Sequence, residues 1–470
     1  MRGFAHASKT RIKQFQENCT PIFSSSPQVR ILRQVFRMWE TVAVFAGLLV
    51  ACTGSPTPLG ANSWALLVAG SNGYYNYRHQ ADVCHSYHVM INEGIPANRI
   101  IVMMYDDIAY NSDNPTPGVI INEPNGTNVY AGVKIDYKGE DLTPENFLNV
   151  LSGNKTGMKG IGTGRVIESD ENTNLFVYFA DHGGTGMLCF PDSNLMADDL
   201  ETTLSQMRRK KQYSQFIFYV EACESGSMFD NILPEHTDVF VMTAAARDES
   251  SWGWYCDEGT CLGDEFSVRW MEHMDAEKTG TLETFFHQYQ VVRSAVTKSH
   301  VQLYGDYSIG PDDLTPNKKH PTYSETGPGD VVSVSSREAA LHYLRHKINK
   351  TKDTTEKQKL QNQVDNIIEA RKLGDQLFDN FINSATANSP KVREVISRER
   401  LALNKDMFPC YKKLLRQFKK FCFGNEHEYF LQHFYKFANI CLLSTDVDKL
   451  LKEMPGICES ERPAVKVTIL

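Results

Sequence analysis

Five short apolar runs punctuate the first half of this 470-residue chain, at residues 64–69, 100–104, 175–180, 216–220 and 239–243. Each is continuous rather than alternating and rich in Val, Ile, Phe and Tyr, the pattern of a strand covered on both faces. Between them, residues 78–92, 144–151 and 198–210 are amphipathic at helical spacing. Strand and helix in alternation predict an α/β sandwich with a mainly parallel sheet. Such sheets gather their chemistry outside the carboxyl ends of the strands.

Three of those ends are suggestive: Ala69-Gly-Ser-Asn-Gly, Ala180-Asp-His-Gly-Gly and Val220-Glu-Ala-Cys-Glu-Ser-Gly. His182 is trailed by Gly183-Gly184-Thr185-Gly186, and Cys223 by Glu-Ser-Gly-Ser. Neighbouring strand ends would set thiol beside imidazole, as a cysteine nucleophile and its base require. Glycines let backbone N–H groups approach a developing oxyanion. A lone strand-end His or Cys is more often structural; the two in equivalent positions favour catalysis.

These residues sit inside longer motifs. Ser71-Asn-Gly-Tyr-Tyr-Asn-Tyr-Arg-His-Gln-Ala-Asp82, Met103-Met-Tyr-Asp-Asp-Ile-Ala-Tyr110, Asp181-His-Gly-Gly-Thr-Gly186 and Glu221-Ala-Cys-Glu-Ser-Gly-Ser227 resemble the legumain family of asparaginyl endopeptidases over about residues 62–310. The resemblance continues more weakly through the tail. It implies a caspase-like fold, no cofactor, and a cysteine protease that cleaves after Asn and more slowly after Asp in acid. By resemblance Cys223 is the nucleophile, His182 the general base and Asn76 the residue that orients it. Asp181 corresponds to the position that can form a succinimide, and the Gly183 and Cys223 amides to the oxyanion hole. Arg78, His79, Glu221, Ser251 and Asp264 correspond to the specificity pocket. The chemistry agrees, because a carboxamide offers one acceptor and two donors, which a cation and carboxylates can satisfy. The blander reading of Arg78 is an ion pair with Asp82 one helical turn on. His79, His85 and His88 do not share one face and no H-E-x-x-H is present, so no metal site is expected. Gly160-Ile-Gly-Thr-Gly164 lacks the strand and Lys-Ser/Thr of a phosphate loop and reads as a turn.

Prolines at 311, 316, 321 and 328 mark a linker, assigned to residues 311–349. Beyond it Leu360, Val364, Ile367, Leu373, Leu377 and Phe381 recur at helical spacing, predicting a separate helical domain over 350–470. Net charge is +5 over residues 1–60, −20 over 61–330 and +7 over 331–470. An acidic body and a basic tail suit mutual attraction rather than nucleic-acid binding. Eleven cysteines include four late ones that suggest two structural disulfides whose pairing spacing leaves open. Cys256 and Cys261 are placed to close a short loop, and an odd count after Cys19 and Cys52 leaves a free thiol. The resemblance implies Cys410–Cys441 and Cys422–Cys458, a tail acting as the chain's own inhibitor, and cystatin-type inhibitors as further partners beside peptide and protein substrates. Carboxylates that titrate near 3.9 and 4.3 would loosen the tail in acid, with self-cleavage after Asn317 or Asn349.

Residues 41–52 have the length of a signal's apolar region rather than a span, so 1–61 is taken as leader and signal, with Met38 as the working start or residues 1–37 removed with the signal. Sequons at Asn125, Asn154 and Asn349 fit a secretory route to an acidic, lysosome- or vacuole-like compartment, or secretion. Three rivals remain. A peptide ligase would capture the thioester with an amine. A membrane-anchored transamidase subunit ordinarily adds a C-terminal span, whereas the expectation here is a polar close over Glu459–Lys466. An inactivated homologue that serves only to bind would have lost Cys223 or His182.

Overall fold

A computed structural model describes residues 59–460 apart from 236, 277–283, 307–330, 387–388, 423–427 and 444. The leader through residue 58, with Cys19 and Cys52, and Asn317 lie outside the described residues. The five apolar runs are five parallel strands, β1 (Ser63–Ala69), β2 (Ile100–Met103), β3 (Asn174–Ala180), β4 (Gln215–Glu221) and β5 (Val239–Thr243), and β6 (Gln302–Gly305) adds an antiparallel edge. The order across the sheet is β6-β5-β4-β3-β1-β2. The chain therefore reverses its winding between β1 and β3, the place where open α/β sheets leave a crevice.

Successive side chains take opposite faces, and both faces are filled. Leu66, Val68, Val177, Phe179, Phe218, Val220 and Val241 join one core with α2 (Pro144–Leu151) and α3 (Ala197–Arg209). Leu67, Phe176, Tyr178, Ile217, Tyr219 and Met242 join the other with α1 (Tyr77–Asn92), α4 (Glu265–Ala276) and α5 (Phe285–Ala295). Burial on both sides is why the runs read as unbroken apolar sequence. Local signals place the helices: Thr143 accepts from the Asn146 amide at 3.1 Å ahead of Pro144, a capped and proline-led start. The 160–164 segment forms turns, as expected.

The second half is helical: α6 (Ala339–Lys350), α7 (Thr354–Ala385), α8 (Pro390–Arg398), α9 (Phe408–Phe421), α10 (Glu428–Leu431), α11 (Phe434–Leu442) and α12 (Val447–Ser460). Gly374 sits inside α7 because a Cβ there would run into the Phe430 ring. Cys410 is bonded to Cys441, Cys422 to Cys458 and Cys256 to Cys261, while Cys84, Cys189 and Cys223 are free thiols. The helices join the first core through Phe378, Phe381, Phe408 and Tyr411. One expectation changes here. Residues 334–349, assigned to the linker, form a short strand, a 3-10 turn and all but the last residue of α6, whose Leu341, Leu344 and Ile348 pack on Leu360, Val364 and Ile367 of α7. Among the described residues no helix is long and apolar enough to cross a membrane.

Candidate active site

Register sets the site. Ala69, Ala180 and Glu221 face one another across β1, β3 and β4. His182 and Cys223 each lie two residues beyond that row, so their loops run side by side. The approach is close enough that a Cβ on Gly183 would fall 2.5 Å from the Cys223 carbonyl oxygen. Asn76 enters from the loop after β1 and leads into α1.

The hydrogen bonds fix which imidazole nitrogen carries the proton. The Asn76 amide nitrogen donates to the Asn72 carbonyl at 3.0 Å, so its oxygen faces His182 Nε2 at 2.9 Å. Nε2 thus holds the N–H, and Nδ1 is left as a buried lone pair with no hydrogen-bond partner. Burial, only partly offset by Glu428, pushes the His182 pKa below its ordinary value. The Cys223 thiol is fully buried and lies 3.3 Å from the Ser251 amide and 3.5 Å from its hydroxyl. Burial raises the thiol pKa despite the Arg337 charge.

Next to this pair, four of the five residues expected to bind the carboxamide converge. Arg78 is fully buried, with Nε donating to Asp264 Oδ1 at 2.9 Å. Its partner is not Asp82, which accepts from the Asp264 amide at 3.1 Å and from Asn122 at 2.7 Å. Glu221 Oε2 accepts from the Ser267 amide and hydroxyl at 3.0 and 2.9 Å. His79 lies between Ser71 Oγ at 2.6 Å and the Asp181 and Asp264 carboxylates, each at 3.5 Å. What remains is telling: Arg78 Nη2, Glu221 Oε1 and Asp264 Oδ2 are buried without a hydrogen-bond partner. Burial pushes Asp181, Glu221 and Asp264 above the ordinary carboxylate range. Ser251, expected among the pocket residues, contacts the thiol and Ser336 Oγ at 3.1 Å.

Sequence reasoning missed the groups that cover the site. Residues 334–335 pair antiparallel with 252–253, and the Ser336 amide donates to the Ser251 carbonyl at 3.1 Å. Arg337 donates to the Gly183 carbonyl and to Glu224, both at 2.6 Å, and to the Glu428 carbonyl at 3.0 Å. The Glu428 carboxylate reaches His182 Nε2 at 3.0 Å, Tyr75 Oη at 3.1 Å and the Asn76 amide at 3.2 Å. Burial alone would raise this carboxyl, but His182, Asn76 and Arg78 hold it down at about 2. Basic tail residues also grip the acidic body, as Lys405 on Glu201, Lys412 on Asp198 and Asp199, and Lys347 on Asp113. The charge split hinted at these pairs; nothing local marked Arg337 or Glu428.

Among the described residues, His79, Asp181 and His182 are the grouping whose ligand-type atoms lie within 4.8 Å of one another. His85 and His88 turn elsewhere, to Asn122 and Asp275 and to the Val129 carbonyl. Asn125, Asn154 and Asn349 are exposed, Asn349 in the last turn of α6.

Residues 63–318 match the Peptidase C13 family, and residues 356–458 match the legumain prodomain. Legumain of Bos taurus is 41% identical over 90% of this chain and 99% of its own length. Legumain of Homo sapiens is 40% identical over the same shares. The vacuolar-processing enzyme delta-isozyme of Arabidopsis thaliana is 38% identical over 84% of this chain and 90% of that protein. Caspase-1 from Spodoptera frugiperda, a solved structure, aligns over 55% of this chain and 95% of its own at 12% identity and a TM-score of 0.33; the fold rests on the topology above. With both the peptidase region and the prodomain matched, the chain belongs to the Peptidase C13 family and is a legumain-type cysteine endopeptidase that carries its own prodomain.

Proposed function

We propose that this endopeptidase cleaves after asparagine and is held latent by its own residues 334–338 and 428 until acid loosens them. The observation that carries the reading is the set of unpaired atoms in the pocket. Arg78 Nη2 donates where a carboxamide oxygen needs a donor, and Glu221 Oε1 and Asp264 Oδ2 accept where its two N–H groups need acceptors. An aspartate side chain presents a second oxygen to those acceptors and fits only once protonated, which ties slower cleavage after Asp to acid. A lysine or apolar side chain leaves buried charges unpaired and is rejected.

In the reaction the Cys223 thiol proton passes to His182 Nδ1 as sulfur attacks the carbonyl carbon. The resemblance assigns the Gly183 and Cys223 amides as the donors to the oxyanion. The C–N bond then breaks, the imidazolium proton leaves with the amine, and water hydrolyses the thioester with the same nitrogen as base. The zymogen is poorly set for this, because the buried thiol stays protonated and the Glu428 carboxylate reaches Nε2 of His182, the ring nitrogen opposite the base, beside Asn76. Self-cleavage falls at Asn317 or Asn349. Asn349 lies in a helical turn, so cutting there requires that turn to unwind, and a glycan on its sequon would divert cutting to Asn317. Glycans at Asn125 and Asn154 and delivery through the secretory route to an acidic compartment complete the proposal, supported by exposed sequons and by relatives named as vacuolar-processing enzymes.

The test is hydrolysis of matched fluorogenic peptides ending in Asn, Asp or Lys after acid incubation. Asn should lead, Asp should follow only at low pH, and Lys should be refused. Equal turnover of the Lys peptide would overturn the pocket assignment.

A further inference from the structure

The substrate pocket is braced from behind by a relay that ends in a histidine outside it. Asp82 Oδ2 accepts from the Asp264 amide at 3.1 Å, and Asp82 Oδ1 accepts from Asn122 Nδ2 at 2.7 Å. Asn122 Nδ2 also donates to the Leu262 carbonyl at 2.9 Å. A carbonyl can only accept, so that contact fixes the amide's orientation and turns Asn122 Oδ1 outward. There it meets His85 Nδ1 at 2.7 Å, while His85 Nε2 lies 2.8 Å from Asp275 Oδ2. Both ring nitrogens therefore face acceptors, and both must carry protons for the two contacts to be hydrogen bonds. Asn122, Asp82 and Asp264 are buried, and Gly263 has no room for a Cβ, which would lie 2.8 Å from both Asn122 Nδ2 and Asp82 Oδ1. The relay has little slack.

His85 is open to protons. It is on α1 and lines a cleft of about 480 Å³ together with Asn122, Glu123, Glu272 and Asp275. Three carboxylates face it from neighbouring elements, Asp275 and Glu272 on α4 and Glu123 on the loop after Asn122, and His88 lies one turn along its own helix. Among the described residues no cation of another element lines this cleft, and Arg269 on α4 is paired with Glu272 at 2.9 Å.

We propose that His85 is a proton-dependent positioning residue for the carboxamide pocket, acting through Asn122 and Asp82 on Asp264. The inference rests on Arg78 and Asp264 forming that pocket. When His85 loses a proton, either tautomer sets one ring lone pair against an oxygen at 2.7 or 2.8 Å. Keeping Nε2–H on the Asp275 carboxylate leaves Asn122 Oδ1 unpaired and drives its amide to turn, which releases Asp82 and the 262–264 backbone. The cation thus holds the pocket in shape in acid, and neutral pH slackens it with no change at the thiol or at His182.

Two measurements test this. In the full-length Cys223→Ala protein labelled with 15N-histidine, the His85 ring, assigned by its loss in His85→Gln, should show both nitrogens protonated at pH 5.5 and titrate above the ordinary histidine value. In the acid-processed enzyme, KM for an Asn peptide should rise about 5-fold between pH 5.5 and 7 while kcat follows the catalytic pair. His85→Gln should abolish that pH step in KM and leave kcat within about 2-fold. Asp275→Asn, a change at a partly exposed site, should move the step to lower pH and covers the case in which His85→Gln folds poorly. A ring neutral at pH 5.5, or a KM profile identical in wild type and Asp275→Asn, overturns the proposal. Failure to cleave Asn peptides at all would instead strike the function, and the ring's protonation would still decide the role of His85.

Discussion

The proposed carboxamide pocket and the proposed catalytic pair lie side by side, yet the prodomain region meets them differently. In the pocket Arg78 Nη2, Glu221 Oε1 and Asp264 Oδ2 have no hydrogen-bond partner. At the pair, Glu428 takes up His182 and Asn76, Ser336 takes up Ser251, and Arg337 takes up Glu224 and the Gly183 carbonyl. On the proposed reading, the covering residues contact the catalytic pair without imitating the side chain assigned to the pocket. Latency and specificity should be separable by mutation.

The largest expected effects fall on the two halves of the site. Cys223→Ala should lower turnover by about 10⁴-fold or more while leaving the prodomain bound, measured as inert full-length chain in acid. Arg78→Leu should cost about 10³-fold in kcat/KM, because Asp264 loses its buried partner and the substrate its donor. Glu221→Gln should narrow the gap between Asn and Asp peptides, since an amide can donate to the oxygen that Asp presents. If either pocket variant activates the zymogen, the separation drawn here fails.

Weaker but more diagnostic effects belong to the cover. Arg337→Ala combined with Glu428→Ala should raise zymogen activity at neutral pH by about 10-fold, with the Asn preference kept. The pH dependence has a definite sign. Docking holds the Glu428 carboxyl at about 2 against an ordinary 4.5. The contribution of Glu428 is complete above the ordinary value and is lost as pH falls towards 2. Glu224 is different: burial raises its carboxyl even with Arg337 and Arg400 nearby, so it supplies no acid trigger of its own. Burial alone would raise Asp113, but Lys347 and Tyr343 hold it below its ordinary value, making it a second group of the same sign, so the expected loosening in acid is proposed to run chiefly through Glu428 with Asp113 beside it. Glu428→Gln should make release nearly independent of pH between 4.5 and 3, read as the rate of self-cleavage.

The smallest effect concerns the prodomain itself. Burial first, then Lys436, Arg400 and Arg337, push His433 down to about 3, and its Nε2, though 2.9 Å from Asp375 Oδ1, makes no hydrogen bond. A lowered histidine leaves stability intact above its ordinary 6.5 and erodes it as pH falls towards 3, by about 1 kcal/mol per pH unit. His433→Phe should flatten the acid dependence of prodomain melting in the Cys223→Ala chain.

The sheet was legible because burial on both faces leaves unbroken apolar runs, and His182 and Cys223 were legible because glycine-rich segments follow two of those runs. Residues 334–338 were not. A strand of two residues has no periodicity, and Ser335-Ser336-Arg337 reads as linker until Gly253 and Trp252 supply a partner. Glu428 carries no local mark either, since its meaning comes entirely from a fold that brings it 246 positions back to His182. Asp82 shows the opposite hazard: four residues from Arg78 on a helix, it suggests a local pair that the tertiary structure replaces with Asp264.

The disulfides have a consequence for how latency ends. Among the described residues the bridges close within 256–261 or within 410–458, and none joins the peptidase region to the prodomain. With the inhibitory role proposed above, a single backbone cut between those regions would turn an intramolecular inhibitor into a separate molecule. From then on, the fraction of free enzyme is governed by mass action, so dilution alone unmasks activity and crowding restores silence.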